Sequence, residues 1–242
     1  MKKQYLLLSL TLLSIASSAQ VTKSTSWVGN TLSGKMSRSI PSCINSLYAF
    51  PDGRVISNSV WSENANSQSF FKNGAYLHNI DPNGGGFTGG ATKGGYAVAG
   101  DGTYIYMTYE MPVAYSNKTY NYVARFKKNG DKAPFTYGDT IYRSITYSSD
   151  TIFWGLAVVG NKVFISNSKR IVVLDTTTGN VLTTWQVPRC RDMHADLSGN
   201  IWVVQKKDAS NPGTINCYNQ NGTVLKTITT VIDPSGITID KQ

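Results

Sequence analysis

The chain has 242 residues, with 23 Lys and Arg against 14 Asp and Glu, giving a formal net charge of +9. The positive residues are scattered, without the aromatic-basic pattern of an RNA-binding sheet, so they imply a solvated basic surface and exclude a nucleic-acid partner. The three cysteines form no Cys-x-x-Cys pair, which excludes the common zinc-site spacings.

Residues 1–19 read as a cleavable signal peptide. Lys2 and Lys3 form a basic head, Tyr5–Ile15 is an apolar run, and Ser17, Ser18 and Ala19 offer small residues before Gln20. The run is short for a spanning helix and no stop-transfer segment follows, so a periplasmic or secreted protein without a membrane span is expected. No Cys follows the cleavage site, which argues against a lipid anchor. Residues 20–242 then form the domain. Its first element, Trp27–Leu32, is strand-like and placed to close a ring by completing the last blade.

From there one unit recurs: an apolar strand, a tight turn, and a second apolar strand ending in small polar residues. It reads LYAFPDGRVISNS at Leu47–Ser59, YAVAGDGTYIYMT at Tyr96–Thr108, LAVVGNKVFISNS at Leu156–Ser168 and MHADLSGNIWVVQ at Met193–Gln205. An outer hairpin follows each copy, at Phe70–Leu77, Val123–Gly130, Ile171–Leu182 and Ile215–Leu225. Asn73-Gly74, Asn129-Gly130 and Asn221-Gly222 supply turns that need positive φ. Two hairpins per repeat predict a four-stranded antiparallel blade. Repeats spaced by about 40–50 residues predict an all-β fold, a β-propeller. Gly84–Gly95 reads as a connector and Lys132–Ser149 as a Tyr- and Ser-rich loop. A fifth copy opens at Gly236–Asp240, where the sequence stops. An open ring would expose strand edges, so the expectation is four to five blades of a ring that has six when complete, with Gln242 not its natural end.

Export permits a disulfide. Three pairings among Cys43, Cys190 and Cys217 are open. Cys190–Cys217 is favoured because both belong to one repeat, and buried free thiols are the alternative.

Several runs resemble the NHL-repeat propellers of exported bacterial proteins, relatives of the gluconolactonase superfamily. They are Trp27–Asn30, Leu47–Gly53 with Asn58–Glu63, Val123–Phe126 with Ala133–Phe135, and Trp154–Val158. The resemblance spans the mature chain and marks the fold more sharply than the function. It implies a ligand at the mouth of the central channel, built by residues leading into each innermost strand and by the loop after the second strand. Mapped here, the leading positions include Trp154, Arg191 and Asp192. The loops supply Asn58, Trp61 and Glu63, then Tyr109 and Glu110, then Asn167 and Arg170, then Gln205 and Lys206.

Such a mouth is polarised. Glu63 and Glu110 belong to the first two blades, while Lys169, Arg170, Arg191, Lys206 and Lys207 belong to the next two. The cationic half suits a carboxylate or sulfate, and Trp61, Tyr109 and Trp154 suit a sugar ring. No cofactor motif is present. The resemblance implies at most a divalent cation such as calcium, with Glu63, Asn58, Asn167 and Asp192 at positions where related lactonases place ligands. His194, in an innermost strand, is the one candidate general base. Gly84–Gly89 matches Gly-x-Gly-x-x-Gly but lacks a following helix, and no Gly-x-Ser-x-Gly elbow occurs. The expectation is a binding or scaffold module that presents its mouth to a glycan or protein. A metal-dependent lactonase or lyase is the alternative, and a structural blade array in a larger surface protein is a third reading.

Overall fold

The inner turns show why the repeat folds as it does. Asp52 Oδ1 accepts the Arg54 amide at 3.0 Å, and Asp101 Oδ1 accepts those of Thr103 and Tyr104, each at 2.7 Å. Asp196 does the same for Ser198 and Asn200, each at 2.9 Å. In the first two of these turns Gly53 and Gly102 sit at φ 81° and 85°, a left-handed conformation open to glycine without steric cost. The carboxylate and the glycine together reverse the chain within a few residues, and the flanking apolar segments pair.

The computed structural model describes residues 45–58, 69–73, 75–80, 93–112, 119–136, 140–146, 152–230 and 232–239. Those residues form four four-stranded antiparallel meanders, and among them there is no helix. Blade 1 comprises β1 (Ser46–Ala49), β2 (Arg54–Asn58), β3 (Ser69–Lys72) and β4 (Ala75–Asn79). Blade 2 comprises β5 (Lys93–Gly100), β6 (Tyr104–Pro112), β7 (Thr119–Lys127) and β8 (Thr140–Thr146). Blade 3 comprises β9 (Gly155–Val159), β10 (Lys162–Ser166), β11 (Arg170–Asp175) and β12 (Val181–Gln186). Blade 4 comprises β13 (Cys190–Ala195), β14 (Ile201–Gln205), β15 (Gly213–Tyr218) and β16 (Val224–Thr230). The first strand of each blade is innermost, and β1, β5, β9 and β13 pack on one another in series. This is a β-propeller.

Three apolar cores lie between successive blades, and β10 shows how one strand serves two of them. Val163 and Ile165 point toward blade 2, where they meet Phe153, Tyr106 and Phe135. Phe164 points the other way, onto Trp185, Met193 and Val203 at the blade 4 interface. A period of two with both faces buried produces the continuous apolar run seen in the sequence. Phe50, Ile56, Phe70, Ile105, Met107 and Phe126 fill the interface of blades 1 and 2.

Some expectations change. The stretch 132–149 is not simply a loop, because Thr140–Thr146, with β-branched residues at both ends, pairs with β7 as the outermost strand of blade 2. The segment from Gly236 to Ile239 forms no ladder. Among the described residues it has no further strand to pair with, and a strand exists only by pairing. Cys190 and Cys217 are buried free thiols. They lie on β13 and β15 with β14 between and three residues out of register, about 14 Å apart by strand geometry, beyond the roughly 7 Å Cα separation a disulfide allows. The leader, Trp27–Leu32 and Cys43 lie outside the described residues. Among those described, no helix is long and apolar enough to cross a membrane.

Candidate functional site

The innermost strands line an open cavity of about 530 Å³, formed from blade 1 by Ser46 and Leu47, from blades 2 and 3 by Val98 and Leu156, and from blade 4 by Asp192 and His194. Residues 232–239 return across blade 4 from β16 to this channel. Asp233 Oδ1 accepts the Lys207 amide at 2.7 Å, its carboxylate lies 3.5 Å from Lys206 Nζ, and the Ile237 amide reaches Asp192 Oδ2 at 3.0 Å. Gly236, Ile237 and Thr238 thereby complete the wall.

At the end of the channel where the innermost strands begin, two β-bulges redirect side chains. One lies between Gly94 and Val98 in β5, the other between Cys190 and Asp192 in β13. Bulges commonly re-aim a residue at a site. Gly95 is fixed there by space, because a Cβ would overlap the Thr108 backbone carbonyl. The two bulged residues, Tyr96 and Arg191, both meet Trp154, which immediately precedes β9. The Tyr96 and Trp154 rings are 4.3 Å apart between centroids at 54°, and the Arg191 guanidinium carbon lies 3.4 Å from the Trp154 ring centre. Trp154 Nε1 donates to Ser168 Oγ at 3.0 Å. Three blades thus contribute one cation–aromatic stack. Burial holds the Arg191 pKa below the usual arginine range, opposed by Tyr96, Asp233 and Asp192.

Below the stack, burial pushes the Asp192 carboxyl up to about 6, partly offset by the amides of Ile237 and Met193 and by the Arg191 charge. Its Oδ1 accepts the Met193 amide at 2.8 Å. His194 Nδ1 lies 2.9 Å from the Ala195 carbonyl, a pairing that needs the proton on Nδ1.

The sequence-predicted site residues divide sharply. Trp154, Arg191, Asp192 and His194 come together at the mouth and cavity. Asn58 does not: it is fully buried, and its Nδ2 donates to the carbonyls of Ala97 at 2.8 Å and Thr108 at 3.0 Å while Oδ1 accepts the Gly95 amide at 3.1 Å. Tyr109 is core, stacked on Tyr122 at 5.6 Å and 3°, and presents no face to a ligand. Asn167 is buried and spends its Oδ1 on the amides of Lys169 and Arg170, each at 2.9 Å. Gln205 is buried between the Pro188 carbonyl, 2.7 Å from its Nε2, and Asn216 Nδ2, which donates to its Oε1.

Lys169 and Arg170 are exposed, Lys206 is paired with Asp233, and Glu110 is partly exposed on β6 opposite Lys93 and Asn121. Trp61 and Glu63 lie outside the described residues. Tyr96 was missed by sequence reasoning; an aromatic directly after Gly94-Gly95 was the available signal.

Asn167 has committed its oxygen to its own turn, and among the described residues Asp192 is the one carboxylate of the cavity lining and no three His, Cys, Asp or Glu side chains converge. Glu63, the other expected ligand, lies outside them.

Comparison with known proteins bears on the fold. Neither a known protein family nor a curated protein sequence matches the chain. The chain is similar in fold to a gluconolactonase. That structure, from Xanthomonas campestris, superposes with a TM-score of 0.55 at 13% identity, over 80% of this chain and 64% of the enzyme. A protein of unknown function from Bacteroides caccae matches with a TM-score of 0.43 at 9% identity, over 76% of this chain and 60% of that one. BamB from Moraxella catarrhalis matches with a TM-score of 0.37 at 13% identity, over 80% and 63%. The chain spans less than two thirds of the length of each of these structures.

Proposed function

We propose that this chain is an exported propeller of the NHL type, with residues 1–19 as its cleaved leader, and that its channel mouth binds an acidic glycan. The supporting observation is the Tyr96–Trp154–Arg191 stack. An aromatic platform suits the flat face of a pyranose. A guanidinium already laid on that platform, partly stripped of water, suits a uronate carboxylate as a bidentate partner. Lys169 and Arg170 on the neighbouring loop add long-range attraction for the same charge.

Calorimetric titration of the mature chain with an oligogalacturonate, beside a neutral oligosaccharide of equal length, tests this reading. The acidic ligand is expected to bind and the neutral one not, with Arg191→Ala and Trp154→Ala each weakening the acidic ligand by at least about tenfold. Equal binding of the two ligands, or an Arg191→Ala protein that binds as well as the native one, overturns it.

A gluconolactonase-like hydrolase is the second reading, favoured by the fold similarity and by Asp192 and His194 sharing one cavity. A carboxyl titrating near pH 6 is suited to general acid–base work. Hydrolysis of a sugar lactone that is lost in Asp192→Asn and His194→Ala would put it first.

A further inference from the structure

The cavity beneath the stack has a chemistry opposite to that of the mouth. Among the described residues its lining carries one carboxylate, Asp192, one imidazole, His194, and no Lys or Arg. An anion drawn to Arg191 therefore meets a carboxylate if it goes deeper. Asn45, Ser46 and Thr238 add polar atoms to the same lining, while Leu47, Val98, Leu156, Met193 and Ile237 make the rest apolar. The volume of about 530 Å³ falls within the range of small-ligand pockets.

The environment of Asp192 identifies the missing partner. Its two oxygens are each aimed by one backbone amide, Met193 at 2.8 Å and Ile237 at 3.0 Å. A carboxylate has about four acceptor positions, so the two amides fix its orientation without saturating it. The adjacent cation is Arg191, whose guanidinium is laid over Trp154, and among the described residues no Lys or Arg lines the cavity. A half-buried carboxylate whose neighbouring cation is engaged on an aromatic ring gains from a second cation, and an ammonium group supplies one.

We propose that this cavity is a pocket for the protonated primary amine of a sugar-sized ligand, held by Asp192. The proposal rests on the reading of the channel as a binding site, though not on the preference of the mouth for anions. With the mouth, it makes the preferred ligand zwitterionic, with a carboxylate outside on Arg191 and an amine inside on Asp192.

Ligand-observed NMR titration of the mature chain with glucosamine, N-acetylglucosamine and glucose provides the test, because acetylation removes the charge from the probe and leaves the protein intact. Glucosamine is expected to bind at least about tenfold tighter than either neutral sugar, and Asp192→Asn should bring all three to similar affinity. If Asp192→Asn does not fold, the comparison among the three sugars on the native protein still decides the matter. A neutral sugar that matches glucosamine, or no saturable binding of glucosamine at millimolar concentration, overturns the proposal. Oligogalacturonate titrated in parallel separates the two readings: if it binds while glucosamine fails, only the amine pocket falls, and the reverse outcome removes only the acidic-glycan mouth.

Discussion

Two sets of polar residues occupy the same end of this propeller and do opposite things. Those that end the second strands, Asn58, Asn167 and Gln205, turn inward and are consumed by backbone groups. Those at the start of the first strands, Tyr96, Trp154, Arg191 and Asp192, are turned toward the channel end, Tyr96 and Arg191 by bulges, Asp192 by its place directly after one and Trp154 by its place just before β9. The reason is topological. A second strand is flanked by strands on both sides and its last residue faces a neighbouring blade, where an unpaired amide or carbonyl must be satisfied. A first strand has the channel on its open side.

The strongest test of that division is Asn58→Ala. It leaves the Gly95 amide and the Thr108 carbonyl without their side-chain partner and removes one of those of Ala97, all between blades 1 and 2. Stranded buried polar groups cost about 1–3 kcal/mol each, so a loss of roughly 3–5 kcal/mol and roughly 10 °C in Tm is expected. Oligogalacturonate affinity of the folded fraction should stay within twofold of native. A stable Asn58→Ala protein with weakened ligand binding would put Asn58 back on the binding surface and break the comparison.

Next in size is Asp192. Its folded pKa of about 6 lies above the ordinary 3.8, so the folded state holds the proton more tightly than the unfolded chain. The associated stability is fully present below about pH 4 and is lost as pH rises through 6, roughly 3 kcal/mol in all. Asp52, Asp175, Asp208 and Asp233 act with the opposite sign. Backbone amides, from their own turns for the first three and from Lys207 for Asp233, hold their carboxyls below the usual range, so their contribution is present above about pH 4 and lost as pH falls through their folded values. Tm should therefore peak near pH 5 and fall toward neutrality. Asp192→Asn should remove the fall between pH 5 and 7. A native profile that is flat or rising over that interval would mean the carboxyl is solvated.

Much of this was legible in the sequence because the repeat states it twice, in turn chemistry and in strand patterning. Asp52, Asp101 and Asp196 mark inner turns, and the run Val163–Ile165 announces burial on both faces. The site was legible only in part. Asn58 and Asn167 occupy equivalent places in the blades and are as polar as any ligand, and nothing in one sequence says that their amides close turns and bridge blades. Tyr109 looked like a sugar platform because an aromatic after a strand can face either way; the blade 1 interface decides it. Bulges carry no clear sequence signature, which is why Tyr96 was passed over while Arg191, with its charge, was not.

The smallest effect makes the sharpest distinction. Ser168→Ala removes the hydrogen bond that Trp154 Nε1 donates to Ser168 Oγ, a partly buried bond worth about 0.5–1.5 kcal/mol. The indole keeps its contacts with Tyr96 and Arg191, so the fold should hardly register the change, with Tm falling by only a few degrees. The platform, however, loses the contact that fixes its rotation about the ring axis, and oligogalacturonate affinity should weaken by about threefold. Near-ultraviolet circular dichroism reports the indole directly. A changed aromatic band with weaker binding and near-native Tm is the opposite pattern to Asn58→Ala, and the pair of variants separates residues that build the propeller from residues it displays. If Ser168→Ala changes Tm as much as Asn58→Ala does, Trp154 is a structural bracket too, and the mouth stack is part of the blade interface.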